Sequence, residues 1–166
     1  MREGDVLTHC FRPFPAAPAR SDGRIREEIL EARERGVIFD IGHGVGSFGF
    51  ETAETMLNAG FLPDAISSDV HSLSIKGPAY DQLVTLSKFL HLGMSITDII
   101  GASTTGPARA IRRPDLGTLS PGSIGDATIL SIEKGDFIFT DSLGNTRSGE
   151  KKFTLKGIVL DGEMWG

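Results

Sequence analysis

The sequence predicts an α/β fold, a parallel β/α array over residues 1–112 followed by an all-β segment over residues 113–166. Three observations carry this. Apolar runs alternate with amphipathic stretches in the order β-α-β-α-β-α-α, which implies parallel strands joined by right-handed crossovers. Each of the three apolar runs closes on polar residues capable of chemistry. After Pro114 the texture changes to β-branched and aromatic residues broken by Gly, Asp and Asn.

Gly4-Asp5 opens a short strand over 6–10, which ends in Thr8-His9-Cys10. A loop rich in Pro and Ala follows. Ser21 or Asp22 is placed to cap a helix over 25–35, where Ile25, Ile29 and Ala32 fall at helical spacing and Gly36 stops the run. Residues 37–41 are apolar except for Asp40, as suits a buried parallel strand. Residues 50–59 read as a helix with Phe50, Ala53 and Leu57 on one face and Gly60 at its end. Residues 65–69 are a third short strand. Residues 81–92 are an amphipathic helix whose Leu83, Leu86, Phe89 and Leu90 share a face. Ser95 can cap a helix over 96–102, and Pro107 fits the first turn of another over 107–111. The remainder reads as three or four short strands. Three parallel strands cannot protect both sheet edges, so the array reads as part of a larger one.

The 166 residues suit one domain or slightly more. With 39% hydrophobic and 23% charged residues the chain has the balance of a folded protein. Its formal charge of −5 and its scattered Lys and Arg argue against a nucleic-acid partner. No apolar run reaches membrane-spanning length, and MREGDVLTHC lacks the apolar core of a signal peptide. A single cysteine, Cys10, excludes an internal disulfide framework. The expectation is a cytoplasmic protein acting on a small molecule, with no nucleic acid and no membrane.

The three polar strand ends, Thr8-His9-Cys10, Gly42-His43-Gly44 and Ser68-Asp69-Val70-His71, lie roughly thirty residues apart, about one β/α unit each. In a parallel array they rise on one edge, where barrels collect catalytic residues and open sheets bind ligands. A His and an Asp there suit a divalent metal such as zinc, although a catalytic zinc needs three protein ligands. Simpler readings stay open. His9 can be a hydrogen-bonded strand-end histidine, Asp69 a turn cap, Cys10 a small buried residue and His91 a structural one.

Gly44-Val45-Gly46-Ser47-Phe48-Gly49 also matches the G-x-G-x-x-G of dinucleotide-binding loops, with Asp69 about twenty residues further on. A nucleotide-binding α/β module is therefore an alternative. Against it, good helix formers begin only at Glu51, after the last glycine, whereas the fingerprint starts its helix inside the motif.

GDVLTHCF, RERGVIFDIGHGVGSFGFETAE, GFLPDAISSDVHSLSIKGPAYDQLVTLSKFLHLGM and ASTTGPARAIRRPDLGTLSPGSIGDATIL together resemble the C-terminal half of the amidohydrolase superfamily, in particular its deacetylase-like, dihydroorotase-related metallohydrolases. The resemblance implies strands six to eight of a (β/α)8 TIM barrel and part of a small β-sandwich. It implies that His9 binds the second metal of a binuclear divalent-metal site of the zinc type. It implies that Asp69 binds the first metal and acts as general base. His43, Gly44 and His71 would lie at the substrate end. The family's first-strand H-x-H, bridging carboxylated Lys and fifth-strand His have no counterpart here, and a full barrel takes about 250 residues. The chain then reads as a split or truncated coding product. It is expected to be inactive alone and to regain function only by assembling with a complementary N-terminal fragment; the partners expected are that fragment or a homo-oligomer.

Overall fold

The computed structural model describes residues 1–165. Its parallel centre is short in regular pairing but longer in hydrogen bonds. β1 (Val6–Leu7) pairs with β2 (Ile38–Phe39), Val6 opposite Ile38 and Leu7 opposite Phe39. On the other side of β2, Asp40 forms a parallel bridge to Ala65. The ladder continues past these spans: Cys10 N–H donates to Asp40 O (3.0 Å), Ile41 to Ala65 O (3.0 Å), His43 to Ser67 O (3.2 Å) and Gly44 to Ser68 O (3.0 Å). The predicted strands over 6–10, 37–41 and 65–69 are thus present as a hydrogen-bonded set in the predicted order, with narrower regular cores.

Among the described residues five helices accompany this centre: α1 (Glu27–Glu34), α2 (Phe50–Asn58), α3 (Gln82–His91), α4 (Ile96–Ser103) and α5 (Thr105–Ala110). Asp81 caps α3 by accepting from Val84 N–H at 2.7 Å, and Ser95 caps α4 by accepting from Asp98 N–H at 3.0 Å. The cap expected for the first helix is corrected. The N-cap of α1 is Arg26, with no side-chain bond. Asp22 instead binds the Arg24 guanidinium at 2.6 Å, a pair formed within its own turn. α5 begins two residues before Pro107, which still lies in its first turn. The core is aromatic. Phe11, Phe39, Phe48, Phe50 and Phe89 are completely buried, and Phe48 meets Phe50 and Phe89 edge-on at 5.6 Å. Each such side chain stabilises the fold by roughly 1.5–3 kcal/mol.

The all-β segment differs from the expected run of short strands. β3 (Ala127–Thr140) and β4 (Thr146–Leu160) form one long hairpin, and β5 (Glu163–Trp165) adds a third antiparallel strand in the order β3-β4-β5. Gly135-Asp136, which reads as a turn, is a bulge at the register shift between Lys134 and Phe137. Gly149 is covered by Phe139, whose Cε2 would lie 2.7 Å from an added Cβ. Among the described residues this is one sheet, not two packed sheets.

The tip of the hairpin docks on the β/α part. Ser142 N–H donates to Phe48 O at 2.9 Å. Ser142 Oγ accepts from Phe48 N–H at 3.1 Å. Asp141 Oδ2 accepts from Phe50 N–H, the first residue of α2, at 3.0 Å. Further along, Arg147 pairs with Glu54 at 2.8 Å, and Phe153 N–H donates to Ser87 Oγ at 2.9 Å. Large apolar side chains remain exposed elsewhere, among them Val6 on the outer side of β1, Leu73, Ile75 and Leu119. Among the described residues, no helix is long and apolar enough to cross a membrane.

Candidate active site

Four backbones in the left-handed region mark the C-terminal edge of the parallel strands: His9 (φ 62°), Gly42 (φ 50°), Gly44 (φ 51°) and Asp69 (φ 46°). A histidine and an aspartate in that region cost energy that surrounding contacts must hold in place, and such residues cluster at functional sites. Here the contacts are visible. His9 Nδ1 lies 2.7 Å from Gly42 O. A carbonyl oxygen only accepts, so Nδ1 carries the hydrogen and the Nε2 lone pair is left free. An added Cβ on Gly42 would fall 2.7 Å from His9 Nδ1, and one on Gly44 would fall 2.5 Å from Asp69 Oδ2. His9 and Asp69 therefore both lie against one three-residue turn, Gly42-His43-Gly44, and only glycine fits at its two ends.

Asp40, the polar residue inside the second apolar run, lies across this edge. Its Oδ2 accepts from Thr8 Oγ1 at 2.7 Å and from Ser67 Oγ at 2.8 Å, and Ser67 Oγ accepts from Gly42 N–H at 3.1 Å. All three strands are thereby linked by side chains as well as by backbone. Its Oδ1 is buried with no protein partner among the described residues.

The carboxylate of Asp69 has no hydrogen-bond or ion-pair partner among the described residues; only its backbone oxygen is engaged, by Ser74 Oγ at 3.2 Å. Ser74, completely buried, also accepts from His71 N–H at 3.0 Å, and so shapes the loop after Asp69. His71 is exposed, and its Nδ1 accepts from Leu73 N–H at 3.3 Å. Cys10 is buried in the core, and burial raises its thiol pKa well above the ordinary value, which leaves it inert. His91 packs at 6.0 Å from the Phe139 ring.

His43 departs from the role of an open substrate contact. Its ring is completely buried and stacks on Phe48 at 4.7 Å. Nδ1 donates to Gly44 O at 3.0 Å, and Nε2 accepts from Lys88 Nζ at 2.7 Å, so neither nitrogen is free for a ligand. Lys88 is also completely buried. Its other two donors go to Pro78 O and Thr140 O, each at 2.7 Å. Burial lowers the Lys88 pKa to about 7, opposed by the nearby Asp141 carboxylate. Burial and the Lys88 charge lower His43 to about 4.

Lys88, Asp141 and Ser74 have no role in the sequence reading. A lysine beside Phe89 reads as the solvated flank of an amphipathic helix, and Asp141 and Ser74 read as loop polarity. Asp40 was visible as the one charge in an apolar run.

The structure also weighs against a dinucleotide loop at Gly44-Val45-Gly46-Ser47-Phe48-Gly49. α2 starts only at Phe50, and the N–H that would meet a pyrophosphate is taken by the buried Asp141 carboxylate. A negative charge already occupies the helix N-terminus, where a phosphate would sit.

What the edge offers is a histidine with an oriented free nitrogen and an unpaired carboxylate. Both are ordinary ligands for a divalent cation, and the His9 Nδ1–Gly42 bond is the outer contact that orients metal-binding histidines. These residues fit a metal. They are two donors, however, and among the described residues no three His, Cys, Asp or Glu side chains gather as a ligand cluster. A groove of about 590 Å³ lies elsewhere, between α3, α4 and the base of the hairpin, lined by Leu86, Ile100, Leu119 and Leu130. A smaller one, of 340 Å³, opens beside Thr8, His9, Cys10 and Arg12.

A parallel β/α array with a histidine and an aspartate on its C-terminal edge has the general arrangement by which α/β proteins build catalytic and ligand sites. Comparison with known proteins narrows it. The chain is 34% identical over 167 aligned positions to a deacetylase of Enterococcus faecalis, covering 99% of this chain and 45% of that protein. Among solved structures, an adenine deaminase matches with a TM-score of 0.94 and 34% identity, covering 99% of this chain and 45% of that one. A dihydroorotase matches with a TM-score of 0.82 and 32% identity, covering 99% and 43%. No family model matches the sequence. Over nearly its whole length the chain is similar to proteins of the amidohydrolase superfamily, and it spans less than half the length of the relatives it matches.

Proposed function

We propose that this chain supplies the C-terminal portion of a metal-dependent amidohydrolase: strands six to eight of a (β/α)8 barrel and part of the small β domain. The reaction is hydrolysis of a C–N amide or ester bond in a small substrate, of the deacetylase type. The observation that carries the reading is the shared edge, with His9 Nε2 left free by the Nδ1–Gly42 bond and the Asp69 carboxylate unpaired beside Gly44.

His9 and Asp69 would hold divalent metal, of which zinc is the favoured candidate from the donor types. When bound, such a metal lowers the pKa of its water to near neutral and polarises a scissile carbonyl. The chain's own residues do the rest. Asp69 would take the proton of the attacking water at its carboxylate oxygen and pass it to the departing nitrogen or oxygen as the C–N or C–O bond breaks. The Gly42-His43-Gly44 turn holds His9 in one tautomer. The loop shaped by Ser74 carries His71 at the substrate end.

The remaining ligands would come from residues outside this 166-residue stretch. The exposed outer side of β1 and the apolar Leu73 and Ile75 support a covering partner. The test is to mix this chain with the complementary N-terminal half of the Enterococcus faecalis deacetylase, load zinc, and assay N-acetylated amino acids and aryl esters. Hydrolysis is expected in the mixture, with Asp69→Asn reducing turnover by roughly 10²–10⁴-fold. Undiminished turnover in Asp69→Asn would remove Asp69 as the base.

A further inference from the structure

We propose that Lys88 is a positioning residue for the His9 and Asp69 edge, acting through His43 to fix the Gly42-His43-Gly44 turn on which both side chains lie. The proposal rests on the reading of His9 and Asp69 as the site.

An ammonium has three donors and no acceptor. All three donors of Lys88 are used at 2.7 Å, on His43 Nε2, Pro78 O and Thr140 O. Those partners come from three separate parts of the chain: the turn at the end of the second strand, the loop that follows Asp69 and His71, and the last residue of β3. A completely buried charge with one partner in each of three elements fixes their relative placement, because moving any of them strands a donor in the core.

The consequence at the edge follows bond by bond. Lys88 occupies His43 Nε2, so the His43 proton resides on Nδ1, which donates to Gly44 O. Stacking on Phe48 fixes the plane of the ring. The turn is then held with Gly42 O aimed at His9 Nδ1 and with the Gly44 Cα against Asp69 Oδ2. Lys88 touches neither His9 nor Asp69, and it sets the tautomer of the first and the space available to the second. Asp141, which faces the same interior and is itself buried, supplies the compensating negative charge.

The test reads His9 directly and needs no turnover. Long-range 1H–15N spectra of the imidazoles of the 166-residue protein, with His9 assigned through His9→Asn, report which ring nitrogen carries the proton. The wild-type protein is expected to show His9 locked with hydrogen on Nδ1. Lys88→Met is expected to abolish that lock, collapsing the separation between the two ring nitrogens of His9, while amide signals of β3 and β4 persist. A His9 signature unchanged in a folded Lys88→Met protein, or an unlocked His9 in the wild type, overturns the proposal. Should Lys88→Met not fold, His43→Gln and His43→Leu decide. Gln retains an acceptor for Lys88 and a donor for Gly44 and is expected to preserve the His9 lock, whereas Leu loses it. Identical His9 spectra in those two variants overturn the proposal. Metal uptake and hydrolysis by Asp69→Asn report on the reaction alone, so the two readings can fail separately.

Discussion

Gly44 is the residue on which the geometry of the edge is least forgiving. It holds φ 51°, and a methyl group there would meet Asp69 Oδ2 at 2.5 Å. Gly44→Ala is therefore expected to destabilise the protein by about 1–3 kcal/mol, read as a lower urea midpoint with an unchanged m-value. His43 gives a second expectation, in pH. Its folded pKa, lowered to about 4, lies below the unfolded value near 6.5. Between those values the unfolded chain binds a proton that the folded one does not. Stability is then full above about pH 6.5 and declines as pH falls toward about 4, by at most about 1.4 kcal/mol per pH unit. Denaturant titrations from pH 7 to pH 4 should show that limb, and His43→Gln should flatten it. Lys88 works in the alkaline direction. With its folded value lowered to about 7, its burial weighs on stability below that pH, and the burden lifts as pH rises toward 10.5. His9 and Asp69 were legible in sequence because strand-end polar residues at β/α spacing must share an edge. Lys88 was not legible, since no local pattern distinguishes a solvated lysine from one whose three acceptors lie 10, 45 and 52 residues away.

At the scale of elements, Asp141 joins two of them. One carboxylate accepts from Phe50 N–H at the start of α2 and from Leu143 and Asn145 N–H in the hairpin turn. Asp141→Ala should cost roughly 2 kcal/mol or more, since it leaves buried donors without a partner, and differential scanning calorimetry should show the loss as a lower Tm. The helices were the readable elements. Leu83, Leu86 and Phe89 announce α3, and Asp81 and Ser95 mark the starts of α3 and α4 by side-chain chemistry that is local in the sequence. The long hairpin was hidden for the opposite reason. Gly135-Asp136 and Gly149 look like punctuation until the partner strand is known, at which point one becomes a bulge and the other a seat for the Phe139 ring. Strand length is decided by cross-strand packing, which local propensity does not record.

For the molecule as a whole, the three parallel stretches end in an uncovered side at β1, where Val6 is exposed. An unprotected edge flanked by apolar side chains favours association. Sedimentation velocity is expected to show the 166-residue chain associating at micromolar concentration, and Val6→Lys to reduce that association. The α/β order and the later β segment could be read before any coordinates, because periodicity and turn chemistry suffice for them. That the second part reaches back to buttress the first could not, because the bonds that do so span most of the chain.

That last feature bears on biosynthesis. Phe48 is bound by Ser142, 94 positions later, and Phe50 by Asp141, 91 positions later. A ribosome releases His9, the Gly42-His43-Gly44 turn and Asp69 long before the hairpin tip that completes their surroundings. The edge is thus made well before the contacts that complete its surroundings. During translation α2 waits with its first N–H in water, and Lys88 waits without the carbonyl of Thr140. Contacts of this range are slow to form, so the edge takes its final shape only after the hairpin tip has been made.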